Sequence, residues 1–366
     1  MRDLIKVHAG LLFAGVATFV VMGAGQALYG PALPVYARLF GISVAAAGLL
    51  ISAHWVGCFL GVGYMFLRGA AITPRHALAI MALGSAGLAS LTGWTLTLVS
   101  AVLFGIGYGM ATAVFNPRVL AAFGARGASM LSLLNATFGV GAIAAPLVFV
   151  ALGSDPRWSF GLTGLACGVL FVFAGAAGKV DATTRETSKP YRPSWPILSL
   201  GMVSVGSEAS LIGLGPSALI AAGIAEPQAA TLLSAFFVVF LLARVVLIFA
   251  AHLLAPFRLL TGSLFVAGLL ALAACFFPPS AFFVAMGAPA GLFFPGFYVT
   301  ASDRMGSDLR VPPTIIAAGL VGGIFSPLII APLMGPFGPR GFFWIVAGFM
   351  LAASAIAVLA SRARAR

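Results

Sequence analysis

Long apolar runs, separated by short breaks of Pro, Gly and charged residues, follow one another along the whole chain. A helix that crosses the hydrocarbon core of a bilayer needs about 20 mostly apolar residues. Runs of this length predict spans at 8–29, 45–67, 76–94, 96–121, 129–152, 158–178, 195–220, 229–251, 259–277, 281–302, 314–334 and 341–361. The pattern therefore predicts an all-α membrane protein with twelve transmembrane helices.

The most polar segment, KVDATTRETSKPYRPS, divides these spans into two sets of six. It predicts an N-terminal six-helix bundle at 1–178, a cytoplasmic linker at 179–194 and a C-terminal six-helix bundle at 195–366. Motifs recur in both halves at offsets of 181–185 residues. GVGAIAAPL (139–147) matches LVGGIFSPL (320–328), AAGLL (46–50) matches AATLL (229–233), Gly105 and Gly109 match Gly287 and Gly291, and Gly30-Pro31 matches Gly215-Pro216. We expect the two Gly-Pro pairs to end the first and seventh helices. An even number of spans per half predicts a parallel repeat about an axis along the membrane normal.

Composition indicates lipid as the solvent, since 61% of the residues are hydrophobic and 8% are charged. A soluble domain carries about 25% charged residues. The net charge of +12 does not indicate nucleic acid, because Lys and Arg residues outside the spans gather on one side. With both termini in the cytoplasm, only Arg38, Arg157 and Arg340 fall in outer loops, as the positive-inside rule predicts. We therefore expect a multi-pass protein of the cell (inner) membrane, in contact with anionic lipid headgroups.

The sequence contains no nucleotide-binding loop, catalytic serine motif or paired metal-ligand motif. Cys58, Cys167 and Cys275 lie in apolar stretches without metal-ligand spacing, so neither a disulfide framework nor a metal site is predicted. We expect no cofactor and no enzymatic activity. Any uphill transport would draw on an ion gradient or on exchange.

The six-plus-six arrangement resembles the major facilitator superfamily, and the motifs look most like its fucose:proton symporter branch. The segments that carry the resemblance are YGPALPVYARLFGISVAAAGLL (29–50), GIGYGMATAVFNPRVLAAFG (105–124), LLNATFGVGAIAAPL (133–147), SVGSEASLIG (204–213), FFPGF (293–297) and AAGLVGGIFSPL (317–328). The resemblance implies secondary transport by alternating access. The first span of the fucose permease carries an acidic residue, whereas this first span has none and Gln26 is its main polar group. Thr112 stands where the permease carries a glutamate in the fourth span, so fucose itself is not implied.

Glu208 is the one acidic residue inside a predicted span. A charge at the bilayer centre costs about 2.5–3.5 kcal/mol on insertion scales, so this carboxyl should face a cavity or a partner, or carry a proton. We predict that it exchanges protons, or that it hydrogen-bonds a hydroxylated substrate. The alternative is a structural carboxyl bonded to a helix backbone or to an arginine.

Uncharged polar residues suited to a neutral polyol lie on three other spans. Gln26 is in the first, Thr112 and Asn116 are in the fourth, and Asn135 is in the fifth. An amide donates and accepts hydrogen bonds at once, so we predict that these residues bind substrate. Each could instead join helices by hydrogen bonds.

Three further residues complete the predicted site. Arg244, in the eighth span, is predicted to pair with Glu208 or to bind an anionic substrate; the alternative is a snorkelling or structural arginine. His54 is predicted to take part in proton coupling, and Trp55 to stack on a sugar ring. Both could simply fill space in the second span.

These features predict a secondary active transporter that takes up a small neutral hydroxylated compound, such as a monosaccharide, together with protons. One alternative is proton-driven efflux of an amphipathic metabolite or drug, for which the many Phe and Met residues would form an apolar pocket. Another is a non-transporting membrane sensor or assembly protein with the same fold. We expect the solute, protons and membrane lipid as partners, no nucleic acid, and a monomer.

Overall fold

The computed structural model describes residues 7–68, 72–174, 191–250, 253–306, 308 and 310–363. Secondary structure in these ranges is helical, and no β-strand occurs within them. Residues 179–190 of the predicted linker lie outside the described residues, and 191–194 lead directly into a helix.

The long helices follow the predicted spans closely. They are α1 (Ala9–Phe40), α2 (Leu49–Arg68), α3 (Pro74–Ser90), α4 (Trp94–Phe123), α5 (Gly127–Ala151), α6 (Pro156–Phe173), α7 (Trp195–Ala221), α8 (Glu226–Ala250), α9 (Pro256–Phe276), α10 (Pro279–Met305), α11 (Val311–Met334) and α12 (Gly341–Ala363). Among the described residues, 11 helices are long and apolar enough to cross a membrane; α3, with 17 residues, is not one of them. The prediction of an all-α membrane protein is confirmed, whereas the count of twelve spans and the position of the termini stay predictions.

The Gly-Pro pairs do not end the first and seventh helices, so this part of the sequence prediction is wrong. α1 continues through Pro31 and Pro34, and α7 continues through Pro216. Proline removes one backbone hydrogen bond but has a φ compatible with a helix, and membrane helices tolerate the loss where neighbouring groups satisfy the freed carbonyl. α1 ends instead at Gly41, whose φ of 61° lies in the left-handed region that favours glycine.

The described residues within Met1–Ile42 and Ala53–Thr184 form one compact unit, and those within Ser43–Ser52 and Arg185–Arg366 form a second. In the first unit, α1 packs along α5, and α3 packs against both α4 and α6. Tyr29, Phe104 and Phe160 are fully buried there.

The second unit repeats this order of packing with the corresponding helices. α7 packs along α11, α9 packs against α10 and α12, and α8 packs against α10. Its core includes Phe236 and Phe283, whose rings stack with centres 5.3 Å apart.

Glycines on α4 let it meet α2 backbone to backbone in the first unit. A methyl group added at Gly105 would overlap the carbonyl oxygen of His54, and one at Gly109 would overlap that of Cys58. Such contact is available only to residues without a side chain, and small residues mark this kind of helix interface in membranes.

The same contact occurs between α10 and α8 in the second unit. A methyl group at Gly287 or Gly291 would overlap the carbonyl oxygen of Phe236 or Phe240, respectively. An offset of 182 residues relates these glycines to those of α4 and also relates the facing carbonyls to those of α2. The structure therefore supports the internal repeat read from the sequence.

A polar cluster fixes the start of α11. The Asp308 carboxylate accepts hydrogen bonds from Arg310 Nε at 2.9 Å, Nη2 at 3.0 Å and the backbone N–H at 2.9 Å. These hydrogen bonds lower the pKa of Asp308 to about 2. The Arg310 guanidinium also lies 4.5 Å from the ring centre of Tyr191, which ties the residues before α7 to this loop.

We expect Gly105→Ala to destabilise the protein, because the added methyl group must displace the backbone of α2. Overpacking of this kind costs about 1–3 kcal/mol. The matched control is Gly63→Ala, whose methyl group would meet no atom within 4 Å and which replaces glycine by a better helix former. Thermal unfolding of the purified protein in detergent should show a lower midpoint for Gly105→Ala only. Equal midpoints for the two variants would contradict the close contact.

Candidate functional site

One face of α4 carries three polar residues at a spacing of four: Tyr108, Thr112 and Asn116. Residues four apart lie one above the other on a helix. The Tyr108 hydroxyl donates to Gln26 Oε1 on α1 at 2.8 Å, and Thr112 Oγ1 donates to the carbonyl of Tyr108 at 3.1 Å. A polar strip on α4 is therefore joined to the buried amide of α1.

Aromatic rings surround the Tyr108 end of this strip. The centres of the His54 and Trp55 rings lie 5.1 Å and 6.4 Å from that of Tyr108, both in edge-to-face geometry. Phe138 on α5 contacts Tyr108 in the same way at 6.4 Å. Tyr108 therefore brings together Gln26 of the first span with His54 and Trp55 of the second, all three of which were predicted as site residues.

Tyr108 is missing from the residues predicted to form the site. A single tyrosine within GIGYGM (105–110) resembles a packing residue in so apolar a chain. Its spacing of four from Thr112 and of eight from Asn116 is the signal that identifies it, because that spacing places all three on one helix face.

His54 lies in the aromatic core of the first unit and is 1% exposed. The rings of Tyr29 and Phe104 have their centres 5.0 Å and 5.7 Å from it. Nε2 lies 3.6 Å from Cys58 Sγ, and Nδ1 has no hydrogen-bond partner among the described residues. These neighbours favour a packing role over the predicted role in proton coupling.

The two predicted asparagines have different surroundings. Asn116 is half-buried, and its Oδ1 is buried without a hydrogen-bond partner in the described ranges. Asn135 is exposed, and its Nδ2 donates to the carbonyl of Leu131 at 2.9 Å. Asn116 therefore retains an acceptor for another molecule, whereas Asn135 already uses part of its amide within its own helix.

In the second unit, Glu208 on α7 faces Arg244 on α8. Arg244 Nη2 lies 3.9 Å from Glu208 Oε1, and the side chains are 26% and 15% exposed. This separation is too long for a hydrogen bond, so the two groups form a loose ion pair. Glu208 Oε2 is buried and has no hydrogen-bond partner among the residues described. The pairing that the sequence left open is present in the structure, with half of the carboxylate unsatisfied.

Arg244 is also held by groups other than Glu208. Its Nε donates to the carbonyl of Gly291 on α10 at 3.0 Å, and its guanidinium lies 4.3 Å from the ring centre of Phe240. The Gly291 carbonyl is available because the residue four positions later is Pro295, which has no N–H to donate. Arg244 therefore keeps two contacts whatever the state of the Glu208 carboxyl.

No group of His, Cys, Asp or Glu side chains in the described part of the chain could hold a metal ion. The three cysteines are free and buried. The candidate site offers amides, hydroxyls and aromatic rings in the first unit and the Glu208–Arg244 pair in the second.

Comparison with known proteins gives a family and a fold. The family model of the Major Facilitator Superfamily matches residues 15–311, and no curated protein sequence matches the chain. A D-xylose-proton symporter has a similar structure, with 14% identity, a TM-score of 0.76 and coverage of 95% of this chain and 96% of that chain. A bacterial homologue of the human lysosomal transporter Spinster has 14% identity and a TM-score of 0.75, and the match covers 97% of each chain. A nucleoside transporter has 13% identity and a TM-score of 0.73, and the match covers 96% of this chain and 98% of that chain. At these identities the structural likeness establishes the fold alone.

Tyr108→Phe should destabilise the first unit, because it leaves the buried Gln26 carbonyl oxygen without this donor. A hydrogen bond of this kind contributes about 1 kcal/mol. Tyr64→Phe makes the same change at an exposed position of α2 and should leave the unfolding midpoint unchanged. If Tyr108→Phe unfolds at the midpoint of the Tyr64→Phe control, the hydrogen bond to Gln26 contributes nothing to the fold.

Proposed function

Because the chain belongs to the Major Facilitator Superfamily, it is a transporter and not an enzyme, and we propose that it takes up a neutral hydroxylated solute together with protons. The proposed solute has the size of a monosaccharide. The resemblance of the sequence motifs to those of the fucose:proton symporter branch supports uptake of this class of compound.

The single observation that supports proton coupling is how the two oxygens of the Glu208 carboxyl are placed. One oxygen lies 3.9 Å from Arg244, and the other is buried without a hydrogen-bond partner. When ionised, the carboxylate is stabilised by the arginine charge; when protonated, it becomes a hydrogen-bond donor. A group with two such states in an apolar surrounding is suited to bind and release a proton during transport.

Arg244 is suited to accompany this exchange without moving. Its contacts with the Gly291 carbonyl and the Phe240 ring hold the guanidinium near Glu208. Arginine stays charged in proteins, so only the carboxyl of the pair changes its charge. We therefore assign Glu208 the proton and Arg244 the task of stabilising the deprotonated form.

The polar strip of α4 supports a neutral, hydroxyl-bearing solute. Tyr108, Gln26 and Asn116 offer uncharged donors and acceptors, and the half-buried Trp55 offers an aromatic face suited to a sugar ring. The D-xylose-proton symporter and the nucleoside transporter of similar fold act on solutes that carry sugar hydroxyls. We assign His54 to packing around this strip. We retain Thr112, which lies between Tyr108 and Asn116, and Asn135 on α5 as further solute-binding residues.

The proposed transport cycle uses two six-helix bundles, 1–178 and 195–366, joined by a cytoplasmic linker and acting by alternating access. Twelve spans with both termini in the cytoplasm would put most of the basic helix ends on the inner side. Exposed arginines at helix ends support this orientation, namely Arg75, Arg258, Arg304, Arg310 and Arg362. The chain acts as a monomer in the cell (inner) membrane.

Glu208→Gln should abolish solute uptake driven by a pH gradient, because glutamine mimics the protonated acid and cannot release a proton. Proteoliposomes with an acid outer buffer and labelled D-xylose, together with a panel of other monosaccharides and nucleosides, measure this uptake. Exchange of labelled for unlabelled solute at equal pH needs no net proton movement and should persist in the variant.

The matched control for this experiment is Glu226→Gln, which makes the same chemical change at the first residue of α8. It should retain uptake driven by the pH gradient. Full gradient-driven uptake by Glu208→Gln would remove that residue from proton coupling. Loss of a preloaded amphipathic dye, without uptake of any sugar, would favour the alternative of efflux.

Asn116→Ala should weaken solute binding by about tenfold, the effect of losing roughly 1.4 kcal/mol of hydrogen bonding. Binding is measured by the rise in unfolding temperature of purified protein across a concentration series of the transported sugar, since a ligand of the folded state raises that temperature. Asn135→Ala should have a smaller effect, because that amide already bonds the carbonyl of Leu131. An unaltered affinity in Asn116→Ala would assign that residue to helix packing.

A further inference from the structure

An apolar groove of about 760 Å³ runs between α3 and α6 on the first unit. Most of its lining residues are Gly, Ala or Ser, and the rest are Leu83, Leu165 and Phe171. A methyl group added at Gly161 or Gly168 would meet no atom within 4 Å, whereas one at Gly164 would lie 3.2 Å from the Ser85 side chain. The helices therefore touch at Gly164, and the absent side chains of the other two glycines form the groove.

A positive charge lies next to one end of this groove. Arg75 is exposed at the second residue of α3, and its Nη2 donates to the carbonyl of Val172 at 3.3 Å. Its guanidinium lies 5.8 Å from the ring centre of Phe171, and Phe171 lines the groove. Among the described residues, no carboxylate lies within ion-pair distance of Arg75. The groove thus ends at a cation whose charge is not neutralised by a described neighbour.

The two helices that form the groove are also the shortest of the long helices described. α3 has 17 residues and α6 has 18, which correspond to about 26 Å and 27 Å. The hydrocarbon core of a bilayer is about 30 Å thick, so lipid headgroups next to short helices are drawn inward. A mismatch of this kind would bring headgroups toward the level of Arg75.

The lining of the groove on α3 begins at Ala79, one turn after Arg75, and runs to Ser90, the last residue of the helix. This stretch rises by about 16 Å. An acyl chain whose headgroup lies at Arg75 would therefore enter the groove one turn further along α3 and lie against its apolar walls.

We propose that this groove binds an anionic glycerophospholipid, with one acyl chain between α3 and α6 and the phosphate on the Arg75 guanidinium. Membrane helices gain nothing by removing apolar surface from lipid, because acyl chains are as apolar as leucine. Close packing against the glycine and alanine walls holds the chain, and the planar guanidinium, which binds phosphate oxygens in pairs, selects the headgroup. The site is independent of the transported solute.

Native mass spectrometry of the full-length protein tests this proposal by counting retained lipid. The probes are dioleoyl phosphatidylglycerol and dioleoyl phosphatidylcholine, which share acyl chains and differ in net charge. The wild type should retain phosphatidylglycerol in preference to phosphatidylcholine. Arg75→Gln should reduce that preference about fivefold, as expected for one basic residue at a lipid surface. Gly168→Leu fills the groove and should reduce the retention of both lipids.

Two controls separate this site from general effects on the membrane surface. Arg258→Gln removes an exposed arginine at the corresponding turn of α9, and Gly262→Leu adds a side chain where no atom lies within 4 Å. Both should retain lipid as the wild type does. The proposal is overturned if Arg75→Gln keeps the full preference, or if Gly168→Leu retains both lipids unchanged. Conversion of a dimer to a monomer by Gly168→Leu, with lipid retention unaltered, would assign the groove to a second copy of the chain.

Discussion

The contact of backbone with backbone at paired glycines is the constraint on which the rest of the structure depends. No hydrophobic force draws helices together inside a membrane, so they associate through packing and hydrogen bonds. Gly105 and Gly109 provide that packing for α2 and α4, and Gly287 and Gly291 provide it for α8 and α10. In the first unit the polar strip lies on α4, and in the second unit Arg244 lies on α8, so each group of candidate site residues depends on one of these contacts.

The second unit shows how closely the site follows from this packing. The Gly291 carbonyl reaches Arg244 because α10 approaches α8 at a glycine, and it is free to accept because Pro295 lacks an N–H. An unsatisfied carbonyl in hydrocarbon costs several kcal/mol, and the hydrogen bond from Arg244 Nε removes this cost at Gly291. Glu208 then meets a guanidinium that is already oriented.

Helix positions were predictable from the sequence because hydropathy responds directly to the solvent around each segment. The ends of the helices were harder to predict from the sequence. Gly30-Pro31 resembles a stop signal, yet α1 continues past it, because a membrane helix bends at proline without ending. The polar residues themselves were also predictable, since an amide or acid in an apolar run is rare and costly.

The contacts of these polar residues were not predictable from the sequence, because the distance from Glu208 to Arg244 depends on how α7 and α8 are rotated about their axes. Tyr108 was not predicted as a site residue, because a tyrosine in an apolar run is usually a packing residue. Its hydrogen bond to Gln26 is visible only in the structure.

The fixed position of Arg244 has an electrical consequence for the proposed cycle. With Glu208 ionised, the pair has no net charge; with Glu208 protonated, it carries one positive charge that the arginine cannot give up. An elementary charge moved through a membrane potential exchanges about 2.3 kcal/mol per 100 mV with that field. The proton-loaded carrier would therefore respond to voltage and the empty one would not, so that an energised cell would accelerate one half of the cycle selectively.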